Sequence, residues 1–149
     1  IGHQAVRSHL AFLEDQVVEV SNEWGFMIDA ARERGVRSLL VAGHPGKLVK
    51  LAFGEWDTHS SRSASATPYV REQIAILFGN VSCEAETVQG LIDALREDQQ
   101  AQLGAVLAEQ VRSAVHLRFG QARQVCVALF TMDGACFGEA GDLAEWGKK

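Results

Sequence analysis

The feature that most limits what this chain can fold into is the order of its apolar runs between residues 16 and 52. Gln16 to Val20 is a short β-branched run and predicts a strand. Trp24, Met27, Ile28 and Ala31 then recur at helical spacing, with Asn22 as the expected N-cap and Gly35 where a C-terminal glycine belongs. Val36 to Val41 is a second run of strand length. It ends at Ala42-Gly43-His44-Pro45-Gly46-Lys47, after which Leu48, Leu51 and Ala52 restart the helical period. Pro45 falls near the first turn of that helix, where its missing N–H does no harm. Strand, helix, strand, glycine turn, helix is the alternation of an α/β domain. It predicts that the strands near Val18 and Leu40 pair in parallel.

After Phe53 the pattern breaks. Gly54 to Thr67 is a polar loop of small residues, long enough to suggest a functional role. Tyr69 to Phe78 predicts a helix closing at Gly79-Asn80. Ser82 is the expected cap of a helical stretch from about Glu84 to Phe119, divided in two near Asp98 to Gln100. Val125 to Phe130 predicts a strand, Asp133-Gly134 a two-residue hairpin turn, and Ala135 to Gly138 the returning strand. In that register Cys126 faces Gly141 and Cys136 faces Thr131, so the two cysteines do not bridge. The tail Glu145 to Lys149 is expected to fray. Together these give the expected fold: one α/β domain over residues 1–149, with a small parallel-strand sheet core flanked by helices and a carboxyl-terminal β-hairpin.

Composition bounds the partners. The chain has 149 residues, 47% hydrophobic and 22% charged, the balance of one globular domain. Its formal net charge of -5 repels phosphate backbones, so no nucleic-acid partner is expected. No apolar run is long enough to span a bilayer, so no membrane partner is expected either. The chain starts at Ile1 with no basic and apolar leader pattern, and reads as a piece of a longer protein. Cys83, Cys126 and Cys136 are scattered, with no CxxC and no His at ligand spacing. That predicts no metal site and a reducing, cytoplasmic setting. Charge is uneven along the chain. Arg32, Arg34, Arg37, Lys47 and Lys50 face one acid, Glu33, between residues 32 and 50.

In an open α/β sheet, ligands gather beyond the carboxyl ends of the strands. Gly43-His44-Pro45-Gly46-Lys47 lies at such an end and opens a helix. Its glycines let a ligand approach the backbone, and the helix start offers N–H groups to an anion. Lys47 and Lys50 share a helix face and add charge toward a carboxylate or phosphate. The turn is not a Walker A loop, because two residues separate the glycines and Leu48 follows the lysine. A small phosphate-handling enzyme would therefore rest on the glycine turn alone. Thr58-His59-Ser60 is the second candidate, a His between two hydroxyls suited to ligand binding or proton transfer. Ser21-Asn22 ends the first expected strand and belongs to the same crevice. His44 and His59 offer two metal ligands without an evident third.

Val20-Ser21-Asn22, Gly25-Phe26, Ser38 to Val41, the run from Gly43 to Ala52, Gly54 and Thr58-His59-Ser60 follow one another in order. In these motifs the chain resembles the cobalt-precorrin-5B C-1 methyltransferase family of anaerobic cobalamin biosynthesis, of which it looks like the carboxyl-terminal part. The later helices and the hairpin with Asp133-Gly134 also fit. The resemblance implies methyl transfer from S-adenosylmethionine to ring carbon one of a cobalt-precorrin. It implies, as a partner, an amino-terminal domain of the same protein absent from this chain, without which the piece is inactive. On this reading Gly43, His44, Gly46, Lys47, Lys50, Ser21 and Asn22 bind the methyl donor. Thr58, His59 and Ser60 meet the corrinoid, and His59 is the catalytic candidate. The run Ser61 to Thr67 lacks the Ala-Asp pair usual after Thr-His-Ser in the family. The alternative is thus a non-catalytic corrinoid- or anion-binding or assembly module that kept the crevice and lost the chemistry.

Overall fold

The computed structural model describes residues 2–11 and 14–147. Its helices are α1 (Gly2–His9), α2 (Trp24–Glu33), α3 (Pro45–Ala52), α4 (Thr67–Phe78), α5 (Val88–Asp93) and α6 (Glu97–Phe119). Its strands are β1 (Ser38–Gly43), β2 (Gln124–Phe130) and β3 (Cys136–Ala140), in the order β1-β2-β3. Short 3₁₀ turns occupy Glu14–Gln16 and Leu143–Trp146.

Strand β2 is the centre of the sheet and is apolar without alternation, as a strand buried on both faces must be. Val125, Val127 and Leu129 join Val41 and the helices in the main core. Cys126, Ala128 and Phe130 face a second cluster with Ala5, Leu10 and Leu143. The parallel pair exists, but its members are β1 and β2, registered from Ser38↔Gln124 to Gly43↔Leu129. The run from residue 17 to 20 is not a strand, which corrects the expected pairing with Leu40. Val18 is 63% exposed, and the segment lies beside β1 without joining the sheet. β-branched residues favour a pleated surface only where a neighbouring strand supplies the ladder.

Gly35 ends α2 in the manner expected. It adopts φ +78° and donates to Arg32 O while Val36 N–H reaches Ala31 O, a Schellman closure. Asn22 does not cap α2. Glu23 holds that position without a side-chain bond, and Asn22 O instead accepts from Thr58 N–H. Ser82 caps nothing. The next helix begins at Val88 under Thr87, whose hydroxyl accepts from Gly90 N–H, and the break before α6 falls at residues 94–96. Of the tail expected to fray, Glu145 to Gly147 is ordered, because Trp146 packs on the second cluster. Lys148 and Lys149 lie outside the described residues.

The hairpin departs from the expected turn in an informative way. Thr131 and Ala135 are joined by a backbone bond, so the loop has three residues, Met132 to Gly134, with Gly134 at φ +87°. That shifts the pairing by one, to Phe130↔Cys136. Phe137 is then an extra residue, a bulge, after which Leu129↔Gly138, Ala128↔Glu139 and Val127↔Ala140 follow the expected register.

Helix α6 covers the main-core face of β2 and β3. A Cβ at Gly104 would lie 1.9 Å from Phe137 O, and one at Gly138 would lie 2.2 Å from Gly104 O. Helix and strand thus meet backbone to backbone, an approach only glycine permits. The far end of α6 is tied to α2, where Arg118 donates to both Asp29 oxygens at 2.9 and 2.7 Å and stacks 4.6 Å over Trp56. Gly104→Ala should lower stability by about 1–3 kcal/mol, the usual result of overpacking, read as an earlier urea midpoint. The Arg118 hydrogen bond holds the Asp29 carboxyl below its ordinary value of 3.8. A depressed folded pKa stabilises above the unfolded value and stops doing so as pH falls through the folded one. The stability gap between native and Asp29→Asn chains should therefore be present at pH 7 and shrink as pH drops below 3.8.

Candidate functional site

Helix α3 organises the site. His44, just beyond the carboxyl end of β1, is its N-cap. Nδ1 accepts from Gly46 N–H at 3.0 Å, and Nε2 faces Gln89 Oε1 at 3.0 Å. A backbone N–H only donates, and Gln89 Oε1 also accepts from Met132 N–H at 3.1 Å. The imidazole is therefore neutral, with its proton on Nε2. The ring joins α3, α5 and the hairpin loop. The expected supply of free N–H groups at this helix start is absent. Pro45 has none, Gly46 is used by His44, and both Lys47 and Leu48 turn to His44 O. A Cβ at Gly46 would lie 3.0 Å from His44 Nδ1, a tight approach that would press on the capping ring.

The two lysines separate in role. Lys47 Nζ donates to Ser21 O at 2.8 Å, closing the Ser21-Asn22 turn onto α3. Lys50 is 7% exposed, and its ammonium donates to Thr58 O at 3.2 Å and Ser63 Oγ at 2.9 Å. It pairs with no carboxylate among the described residues. Thr58 is buried, its N–H bonded to Asn22 O and its hydroxyl 3.5 Å from Asn22 Oδ1. The expected residues Ser21, Asn22, Lys47, Lys50 and Thr58 are thus one connected set.

Two hollows meet at His44. A polar cleft of about 460 Å³ is lined by His44, Gly46, Lys50, Ser60, Ser63, Thr67, Glu86 and Gln89, among others. An apolar groove of about 720 Å³ runs along β1, with Gly43, His44 and Lys47 at one end and Val18, Val20 and Trp24 along it. Trp24 and Trp146 both line the groove; the buried indole N–H of Trp24 meets no acceptor among the described residues, whereas that of Trp146 is turned to the Cys126 thiol.

His59 lies in the loop that Lys50 pins, since Ser63 Oγ donates to His59 O. Its ring is turned to Ser61, whose N–H and hydroxyl meet Nδ1 at 3.2 and 2.7 Å, and it lines neither hollow. The nearby carboxylate, Asp57, accepts from His59 N–H and from Arg62, not from the ring. Arg62 holds the Asp57 carboxyl below its ordinary value. No acid orients the His59 ring among the described residues. The basic stretch also divides. Arg32 to Arg37 lie at the amino end of β1, a strand's length from the crevice, and of the five cations only Lys47 and Lys50 line a hollow. Ser63, Thr67 and Gln89 were not expected. Ser63 and Thr67 had only their place in a long polar loop as a signal, and Gln89 had none.

The chain resembles curated proteins along nearly its whole length. A cobalt-precorrin-5B C(1)-methyltransferase of Syntrophotalea carbinolica is 44% identical over 146 residues, 98% of this chain and 42% of that protein. Over this length the chain is similar to cobalt-precorrin-5B C(1)-methyltransferases. Another of them, from Methanococcus vannielii, is 35% identical over 85% of this chain and 36% of its own length. A third, from Ralstonia nicotianae, is 33% identical over 97% and 41%. The chain therefore spans about two fifths of the relatives it matches. No family model and no solved structure matches it. No helix among the described residues is long and apolar enough to cross a membrane.

The role of His44 as cap gives a direct check. His44→Ala should lose about 1 kcal/mol for the cap alone, whereas His44→Asn, which keeps a side-chain acceptor, should recover most of it in urea titrations.

Proposed function

We propose that this chain is the carboxyl-terminal domain of a cytoplasmic cobalt-precorrin-5B C-1 methyltransferase, and that the hollows on either side of His44 help to hold its methyl donor and corrinoid. The names of the relatives support the reaction. Support for the place comes from Lys50. Its buried ammonium has two neutral acceptors, no carboxylate among the described residues, and one N–H to spare at the cleft wall. Such a charge is stable when an anion completes it. S-adenosylmethionine and corrinoids both carry carboxylates, and the cleft also presents Glu86, which suits the ammonium of an amino-acid group. The residues present thus fit the donor.

S-adenosylmethionine supplies, when bound, an electrophilic methyl group on a sulfonium. Carbon methylation then asks the protein mainly for alignment and exclusion of water. Lys50 binds the carboxylate and at the same time fixes the loop from Thr58 to Ser63. His44, neutral and held at both nitrogens, shapes the partition between cleft and groove and transfers no proton. The groove offers an apolar wall for a flat macrocycle, and the indole N–H of Trp24, without an acceptor among the described residues, is a donor for its polar edge. His59, with Nδ1 occupied by Ser61 and no carboxylate on its ring among the described residues, has a smaller role than the catalytic one its motif suggests.

The test is calorimetric titration of S-adenosylmethionine and, separately, of a corrinoid analogue into the full-length protein and its variants. Lys50→Met should weaken one of these ligands by about ten- to a hundredfold, the loss of one charge-assisted contact of about 1.5–3 kcal/mol. Ser63→Ala removes a loop bond of Lys50 but keeps the charge, and should retain affinity. Lys47→Ala should reduce affinity less than Lys50→Met, because its ammonium already closes on Ser21. Equal affinity of native and Lys50→Met chains for both ligands overturns the placement. Binding without methyl transfer by the full-length protein would favour the non-catalytic module.

A further inference from the structure

Outside the crevice, the opposite face of the sheet brings together three side chains that the sequence keeps far apart. His9 closes α1, while Cys136 and Glu139 belong to β3. Three positions apart on a regular strand, Cys136 and Glu139 would point to opposite faces. The extra residue Phe137 resets the alternation. Cys136 pairs with Phe130 and Glu139 with Ala128, two residues of the second cluster, so both side chains share that face with α1. His9 Nε2 bonds Glu139 Oε1, and Cys136 Sγ lies 3.5 Å from that same oxygen. The three ligand atoms lie within 4.8 Å of one another. The imidazole is oriented by Phe130, edge to face at 82° with centroids 5.7 Å apart. The His9 and Glu139 side chains are each 21% exposed and Cys136 is exposed, so an ion can enter and keep a water ligand.

We propose that His9 Nε2, Cys136 Sγ and Glu139 carboxylate form a Zn²⁺ site that clamps α1 to the hairpin. One nitrogen, one sulfur and one oxygen donor with an open fourth position suit a borderline ion that prefers four-coordinate geometry. The Cys136 thiol loses its proton to solvent as the Zn–S bond forms. Thiolate and carboxylate then neutralise the two charges of the ion, with the imidazole neutral. Zn²⁺ takes the place of the proton between His9 Nε2 and Glu139, which passes to Nδ1 as the neutral ring changes tautomer, so that only the thiol proton is released. The site stands apart from the crevice and does not depend on the methyl-transfer reading. Because, among the described residues, α1 is held by the small second cluster and the His9–Glu139 bond, occupancy should stabilise the native state.

The experiment titrates Zn²⁺ into the chelator-treated, reduced chain by calorimetry in buffers of different ionisation enthalpy, with melting curves alongside. Co²⁺ serves as a second ion, because a thiolate ligand gives it a charge-transfer band. Expected are one ion per chain, release of about one proton, a higher melting temperature and that band. Cys136→Ser should abolish the band, and Cys136→Ser, His9→Gln and Glu139→Gln should each weaken Zn²⁺ by at least about tenfold. Cys83→Ser should change neither. Melting curves of the metal-free variants show that each is folded before it is scored. No saturable Zn²⁺ binding by the native chain, or equal affinity in native and Cys136→Ser chains, overturns the proposal.

Discussion

Everything in this fold is arranged around the backbone contact between α6 and β3. Gly104 and Gly138 have no side chains, so a helix and a strand touch main chain to main chain, with no room for even a methyl group. This fixes the height of α6 over the sheet. Leu103, Leu107 and Val111 then pack at van der Waals distance on a sheet whose central strand is apolar on both faces. The other end of α6 holds α2 through Arg118 and Asp29, and α3 packs on its flank. The position of His44 at the end of β1 follows from that frame.

Much of this was legible in the sequence, and the parts that were not share a cause. Gly35, Pro45 and Gly79 marked helix ends correctly because their effect is local: a φ preference or a missing N–H acts whatever the rest of the chain does. The strand from Val125 to Phe130 was legible because an unbroken apolar run has few places to go. Val17 to Val20 misled because strand propensity is realised only beside a partner, and β1 found its partner more than eighty residues downstream in β2. The hairpin loop was misjudged by one residue because Asp-Gly serves two- and three-residue turns alike. For the site, the motifs named residues that the fold brings together. Ser21, Asn22, Lys47, Lys50 and Thr58 do converge. The use each makes of its polar atoms depends on tertiary partners such as Gln89 and Ser63, which carry no local signal.

The site also shows how a helix start can be closed to ligands by its own cap. The N-terminal N–H groups of α3 are satisfied by His44, by its side chain and by its carbonyl. What they give up in direct contact is supplied two turns of bonding away, by an ammonium buried in the wall. A side chain of this kind is attractive to an anion and also structural, because the same nitrogen holds the loop opposite. On the proposed reading, binding and loop order are coupled through one atom, and a ligand that draws on Lys50 also acts on the Thr58 to Ser63 segment.

The three-residue loop and the bulge at Phe137 cancel one another. The loop displaces the returning strand by one position, and the bulge gives the position back before Gly138 reaches Gly104. Without the bulge, the same three-residue loop would pair Leu129 with Phe137 and Val127 with Glu139, and a side chain would stand where Gly138 now meets Gly104. The register of an exposed turn is therefore answered by one extra residue in the strand, which brings a glycine to the core face of the sheet.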